Sequence, residues 1–268
     1  MLRQWFKSPA VLALGAEGIA LRPSGASADD IRMICGMSSS GSEHYSYERL
    51  LDELEAQADK LGLWRVRFIL SNQFARYAVL PWQPSIYAMQ DWLALATHQF
   101  RKQFGAMAEN WEIRVALQGH GAPAVACALD RTLSERLLAL SAKVNWSVQG
   151  IEPALMSVFN RHRAHLAKSG HWLLLAEPQR LLLGQISNGA WQHFHVDSPL
   201  AGEEPIAGMR MVERVLRLQG DTRPSAIACF GPAALLPDSL PEHMPMLRLP
   251  HPAAAVCMSS LDMLAGIA

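Results

Sequence analysis

Three groups of side chains have the types and spacing to do chemistry. His193, His195 and Asp197 alternate along one apolar stretch, so on a β-strand they share a face. Imidazole and carboxylate are zinc-type donors, but no spacing nearby closes a coordination shell around them. The favoured reading is a polar strand face beside a hairpin, and no metal is expected. His162 and His165 stand one helical turn apart. His162 also falls on an apolar stripe, which makes it a core-edge histidine before it is a ligand. Arg210, Arg214 and Arg217 line one side of a helix, with Glu213 placed to pair with Arg217 four residues on. That is a solvated face by default, with an acidic partner as the alternative. No Gly-x-Ser-x-Gly elbow, His-Glu-x-x-His or phosphate-binding P-loop occurs.

Composition narrows the field further. Half of the 268 residues are apolar and 18% are charged, which excludes a disordered chain. The 24 Lys and Arg balance the 24 Asp and Glu, so no overall field draws the chain to nucleic acid or anionic lipid. Cys35, Cys127, Cys229 and Cys257 are far apart and lie in apolar stretches. They read as reduced, buried side chains in a reducing compartment. No apolar run reaches the ~20 residues of a membrane span. Pro9 and Glu17 spoil the short Ala10–Leu14 run as a signal peptide. A soluble, cytosolic chain is expected.

The elements that must position these residues occur in a repeated order. Ala10–Leu14, Gly18–Arg22 and Ile31–Gly36 read as strands, followed by a helix over Tyr47–Leu61 and a strand over Arg65–Leu70. An insertion begins near residue 72. It holds a strand over Phe74–Leu80, a helix over Ile86–Phe104 closed by Gly105, and strands over Glu112–Gln118 and Ala124–Leu129. A helix over Leu133–Val144 follows, with Thr132 and Glu135 at capping-box spacing. Next come a strand over Asn145–Gln149 and a helix opened by Pro153. After Ser169-Gly170 the order restarts. Strands over Trp172–Ala176, Leu181–Ile186 and Trp191–Val196 surround an Asn188-Gly189 hairpin turn. A helix over Glu203–Leu218 follows, with Ile206, Met209, Val212 and Leu216 inward, then strands over Ala226–Phe230 and Met246–Leu249 and a helix over Ala253–Leu264. The reading is an α/β chain of two mixed-sheet halves, residues 1–168 and 169–268, with a small α+β subdomain inserted at about 72–129.

This duplicated order resembles the actin-like, ribonuclease-H-like fold. The segment Gly150-Ile151-Glu152-Pro153-Ala154-Leu155, the insertion, and the stretch from Leu70-Ser71-Asn72-Gln73-Phe74-Ala75-Arg76-Tyr77 on to Leu80-Pro81-Trp82 are similar to the PilM group of type IV pilus assembly proteins. The cytoplasmic domain of GspL from type II secretion is a close relative of that group. An active member of the fold carries Asp-x-Gly-Thr/Ser in its first hairpin, an Asp-x-Gly turn opening the second half, and a Gly-Gly pair after a late strand. Here the first loop has Ala13 for the carboxylate and Ala16 for the hydroxyl, with only Gly15 retained. The second has Glu177 beside Pro178, which has no N–H for a phosphate. The third is Gly231-Pro232. The expectation is an actin-like frame without a nucleotide cofactor and without catalysis.

The resemblance also implies a partner. In PilM-like proteins a short peptide from a membrane protein docks beside the inserted subdomain. The matching segment here carries Asn72, Arg76, Tyr77, Pro81 and Trp82. Backbone groups of an edge strand would take an extended peptide, Tyr77 and Trp82 would anchor it, and Arg76 would clamp a carboxylate. The expected function is a cytosolic scaffold, peripheral to the inner membrane, that holds the cytoplasmic tail of an inner-membrane pilus or secretion protein, with an assembly ATPase as a further partner. The alternative is an active ATPase or kinase with displaced ligands.

Overall fold

The computed structural model describes residues 8–23, 31–36, 47–61, 64–166, 170–219, 223–250 and 265. They fall into two units, one of residues 1–74, 132–161 and 250–268, the other of residues 75–131 and 162–249. The helix expected over Ala253–Leu264 lies outside the described residues.

The first unit is built on a mixed sheet. β1 (Ser8–Gly15), β2 (Gly18–Pro23) and β3 (Arg32–Gly36) form an antiparallel meander. β4 (Trp64–Leu70) runs parallel to β1, and β8 (Ser147–Pro153) runs parallel to β4 at the sheet edge. Val11, Leu12, Ala13 and Leu14 of β1 are all buried, as a strand covered on both faces requires. Helix α1 (Tyr47–Ala58) buries Leu50, Leu51, Leu54 and Ala58. Helix α3 (Arg131–Lys143) is tied to α1 by Arg136–Asp52 at 2.6 Å and Lys143–Glu55 at 2.7 Å. Both pairs reach solvent and are screened by it, so they orient the helices more than they stabilise them. Three expected boundaries move. Asn145 is a left-handed turn residue at φ 58°, and β8 continues through Pro153, which pairs with Leu70. Proline is tolerated there because β8 is an edge strand, so helix α4 begins at Ala154 and runs to Leu166. Helix α3 starts at Arg131, which leaves Thr132 inside its first turn and not at the cap.

The second unit holds the second sheet. β9 (Trp172–Glu177), β10 (Arg180–Ser187) and β11 (Ala190–Asp197) repeat the meander. β12 (Ile227–Phe230) and β13 (Met246–Arg248) add in parallel on the other side of β9. Asn188 at φ 52° and Gly189 at φ 74° turn β10 into β11, the left-handed pair a two-residue hairpin demands. Helix α5 (Glu204–Gln219) buries Met211, Val212, Val215 and Leu216. Ile206 and Met209, expected inward, are 52% and 37% exposed. The helix is turned instead so that Gly208 lies against Leu174, Leu181 and Pro237.

The insertion belongs to this same unit. β5 (Ala75–Leu80), β7 (Ala124–Asp130) and β6 (Trp111–Leu117) form an antiparallel sheet in the order β5-β7-β6. Helix α2 (Met89–Phe104) buries Trp92, Ala96 and Phe100 against Ala78, Leu80, Ala124, Ala126 and Ala128. Small strand residues leave room for the large helix rings. Two contacts fix this sheet to the second meander, not to the first half where the expected division placed it. The rings of Tyr77 and Phe194 lie 5.4 Å apart. Gln118 exchanges both hydrogen bonds with one backbone residue: Trp191 N–H donates to its Oε1 at 2.7 Å, and its Nε2 donates to the Trp191 carbonyl at 3.0 Å. The β10–β11 register shifts between Gln185 and Ile186, beside Trp191, and the Gln118 amide takes the place of a strand partner there. The Trp191 ring in turn covers Gly184, where a Cβ would come within 2.1 Å of it.

Gln118→Ala removes three hydrogen bonds to backbone groups at once, one from the Trp191 N–H and two to the carbonyls of Trp191 and Pro123. Urea denaturation should show a loss of about 1–3 kcal/mol. A loss under about 0.5 kcal/mol would mean that water replaces the amide.

Candidate functional site

The three loops where nucleotide chemistry is expected are all ordered by contacts of the protein's own. In the first, Gly15 pairs with Gly18 across the Ala16-Glu17 turn, and Ala13 is fully buried within β1. Its methyl group is part of the core.

The second loop joins β9 to β10. Pro178 takes the first corner, and Gln179 takes the second at φ 55°. The Gln179 N–H donates to Glu204 Oε1 at 2.9 Å, while Glu204 Oε2 accepts the N–H of Gly202 at 2.7 Å. Glu204 is 1% exposed and opens α5, where a negative charge also meets the positive end of the helix dipole. A carboxylate therefore holds the turn N–H that a phosphate would need. Glu177 is buried too. The third loop lies beside the second: a Cβ on Gly231 would come within 2.5 Å of the Ala176 carbonyl oxygen. This glycine is required by the close approach of β12 to β9, with no nucleotide invoked. Neither Gln179 nor Glu204 figures in the sequence expectation. Their signal was an acid at the start of a helix, which looks like ordinary dipole chemistry.

The expected docking segment divides. Asn72 is fully buried, and its Oδ1 accepts the N–H of Leu155 at 3.1 Å. It satisfies one of the open N–H groups in the first turn of α4, so it has no face for a partner. Ser71 fixes the chain just before Asn72: its N–H donates to the Leu14 carbonyl, and its Oγ accepts the Gln73 N–H. Tyr77 is 9% exposed under Phe194, and burial pushes its phenol well above the usual range. Asn72 and Tyr77 thus leave the expected partner set. Pro81 is exposed, and Arg76 and Trp82 are half-buried. Arg76 Nη1 donates to the Ala75 carbonyl at 2.9 Å. The Trp82 ring packs 6.1 Å from Trp92 and edge-on to His120 at 4.9 Å. β5 pairs with β7 on one side only, and no strand pairs with its other edge among the described residues.

The remaining clusters are placed as follows. His193 and His195 rings are 6.4 Å apart, and no group of three or more metal donors occurs among the described residues. Asp197 accepts the Ser198 N–H and lies 4.0 Å from Arg214. His162 is buried, with its ring 6.3 Å from Phe230. Arg217 pairs with Glu213 at 2.5 Å. Arg210 lines a cavity of about 100 Å³ with Glu203, Ile206 and Ala207, below the ~300 Å³ of a small-molecule pocket. Burial pushes the thiols of Cys127 and Cys229 up to about 12, which makes them inert.

No protein-family model and no curated protein matches the sequence. Solved structures do match in fold. A Bacteroides thetaiotaomicron protein described as having an actin-like ATPase fold and unknown function superposes with TM-score 0.62 at 9% identity, over 99% of this chain and 97% of that one. The cytoplasmic domain of EpsL, an inner membrane component of the type II secretion system of Vibrio cholerae, gives 0.56 at 14% identity over 97% and 94%. The PilM–PilN type IV pilus biogenesis complex gives 0.55 at 10% identity over 89% and 90%. The chain has the actin-like, ribonuclease-H-like fold, and the resemblance to PilM and GspL cytoplasmic-domain proteins holds at the level of fold.

Two outcomes follow for these side chains. Asn72→Ala should cost about 1 kcal/mol through the lost helix-end bond, and Tyr77→Ala about 3 kcal/mol or more through its cavity, both read from urea midpoints. The thiols add a pH dependence. Their folded pKa lies above the ordinary 9.0, so the stability from keeping them neutral is whole below pH 9 and is lost as pH rises toward 12. The loss is roughly 1.4 kcal/mol per thiol per pH unit in that window. A Cys127→Ala/Cys229→Ala variant should show a shallower fall in midpoint between about pH 8 and pH 10.5.

Proposed function

We propose that the chain is a non-catalytic, cytosolic component of a type IV pilus or type II secretion assembly that holds the cytoplasmic tail of an inner-membrane partner. The observation that carries the non-catalytic part is the Glu204 carboxylate on the Gln179 N–H, in a turn whose other corner, Pro178, has no N–H. A phosphate entering this turn would have to displace a buried carboxylate and meet its charge. Ala13 and Ala16 supply neither a carboxylate for Mg²⁺ nor a hydroxyl in the first loop.

The partner part is supported by fold coverage that extends over nearly the whole of this chain and of the EpsL cytoplasmic domain. It is also supported by what the insertion leaves open. β5 has one edge without a strand partner among the described residues, and an extended peptide can add there by backbone hydrogen bonds. Pro81, Trp82 and Arg76 flank that edge and keep accessible surface. No described helix is long and apolar enough to cross a membrane, so in this reading a partner supplies the membrane attachment.

Two measurements test the two parts. Calorimetry with MgATP should show no binding at millimolar nucleotide and no hydrolysis. Micromolar affinity or turnover would restore the ATPase alternative. Arg76→Ala and Trp82→Ala should each weaken capture of the partner's cytoplasmic tail by about thirtyfold, near 2 kcal/mol, with the melting temperature of Arg76→Ala unchanged. Retained capture in both variants removes this segment as the docking site.

A further inference from the structure

The loops at one end of the inserted subdomain combine exposed apolar side chains with a lack of charged ones. Leu80 and Leu117 both pair with Ala124, so the loop from β5 to α2 and the β6–β7 hairpin turn leave the sheet at the same end. Residues 81–90 and 115–129 hold no Asp, Glu, Lys or Arg, in a chain in which 18% of residues are charged. Tyr87 is 91% exposed, Leu117 50% and Met89 45%. Apolar residues scattered singly over a surface need no explanation, but a cluster with no charges among it does. The two loops form one tip. Trp82 of the first lies edge-on to His120 of the second at 4.9 Å and against Trp92 of α2 at 6.1 Å. Gln118 closes the hairpin on the Pro123 carbonyl and is held to Trp191. A tip fixed in this way has little freedom to lose on contact.

We propose that this tip enters the headgroup region of a lipid bilayer, so that the chain touches the membrane directly as well as through a partner's tail. Tyrosine and tryptophan suit that region, because an apolar ring with a polar tip matches the boundary between hydrocarbon and water. Leu117 and Met89 add apolar area with no charge to desolvate. A protein interface would be rimmed by polar and charged groups, which residues 81–90 and 115–129 do not supply. The choice of a bilayer also rests on the docking reading. The β5 edge that would take the tail of an inner-membrane protein ends at Leu80, and Pro81 and Trp82 begin the tip, so the tip adjoins the strand on which that tail would lie. Asp91, the first charge after the loop, sits in the opening turn of α2. It would stay in water, and it adds no attraction to anionic lipid. Such a contact is weak: it falls about tenfold short of a single myristoyl chain, with half-binding near ~1 mM lipid.

The test uses the full chain and no partner, so it can fail while tail capture succeeds. Protein is sedimented with sucrose-loaded vesicles of phosphatidylcholine and, separately, of phosphatidylcholine mixed with phosphatidylglycerol. Binding should be equal for both and unchanged between about 0.1 M and about 0.5 M salt. Tyr87→Asp places a charge on the tip and should lower binding about tenfold. The Tyr87 side chain lies in solvent, so the melting temperature of this variant should not change. Leu117→Ser should lower binding about threefold. No binding to phosphatidylcholine vesicles up to ~5 mM lipid overturns the membrane contact. So does binding that requires phosphatidylglycerol, or binding that Tyr87→Asp leaves unchanged. Loss of tail capture in Tyr87→Asp, with no vesicle binding by the parent chain, makes the tip a protein contact and overturns the proposal equally.

Discussion

A buried backbone N–H must find an acceptor, and much of this structure follows from how that requirement is met. Three N–H groups decide it. Leu155 at the head of α4 donates to Asn72. Gln179 in the β9–β10 turn donates to Glu204. Trp191 at the β11 irregularity donates to Gln118. In each case a side chain distant in sequence supplies the oxygen, so each bond joins elements that the chain order leaves apart. The same residues make the positions structural. An N–H already held by a buried side chain is not available to a ligand.

Much of the element order was legible in the residues. The Asn188-Gly189 turn, the α2 stripe ending at Gly105 and the two antiparallel meanders follow from period and turn chemistry. The errors have common causes. Pro153 looked like a helix opener because the edge position of β8 is set by pairing with β4, a long-range fact. Ile206 and Met209 looked inward because periodicity locates an apolar stripe without its rotation, and the close packing of Gly208 decides that. Asn72 and Tyr77 looked like recognition residues because polar and aromatic side chains in an unusual segment suit both a site and a core. Only the partner atoms, the Leu155 N–H and the Phe194 ring, separate the two. The site of the insertion was legible, but the unit it joins was not, since Gln118 reads as the ordinary polar end of the strand Glu112–Gln118.

Steric constraints alone can fix residues that a motif would assign to chemistry. Gly231 shows how such a residue can mislead. It survives where a nucleotide fold places a glycine, yet the Ala176 carbonyl alone accounts for it. Ala13 makes the opposite point. Once a methyl group is packed there with no exposed surface, restoring a carboxylate would bury an unpaired charge. The two positions bracket what a motif comparison can say of this chain: packing alone accounts for the glycine, and packing alone holds the alanine.

The paired hydrogen bonds of Gln118 to Trp191 also have a mechanical meaning. They and the Tyr77–Phe194 ring contact lie at different points along β11, so the insertion is held to that strand by more than one fastening. A tensile load applied at the insertion would be divided between them, and neither would have to yield first as a hinge. The load would then pass from β11 into the ladder of β10 and β9, where many bonds share it.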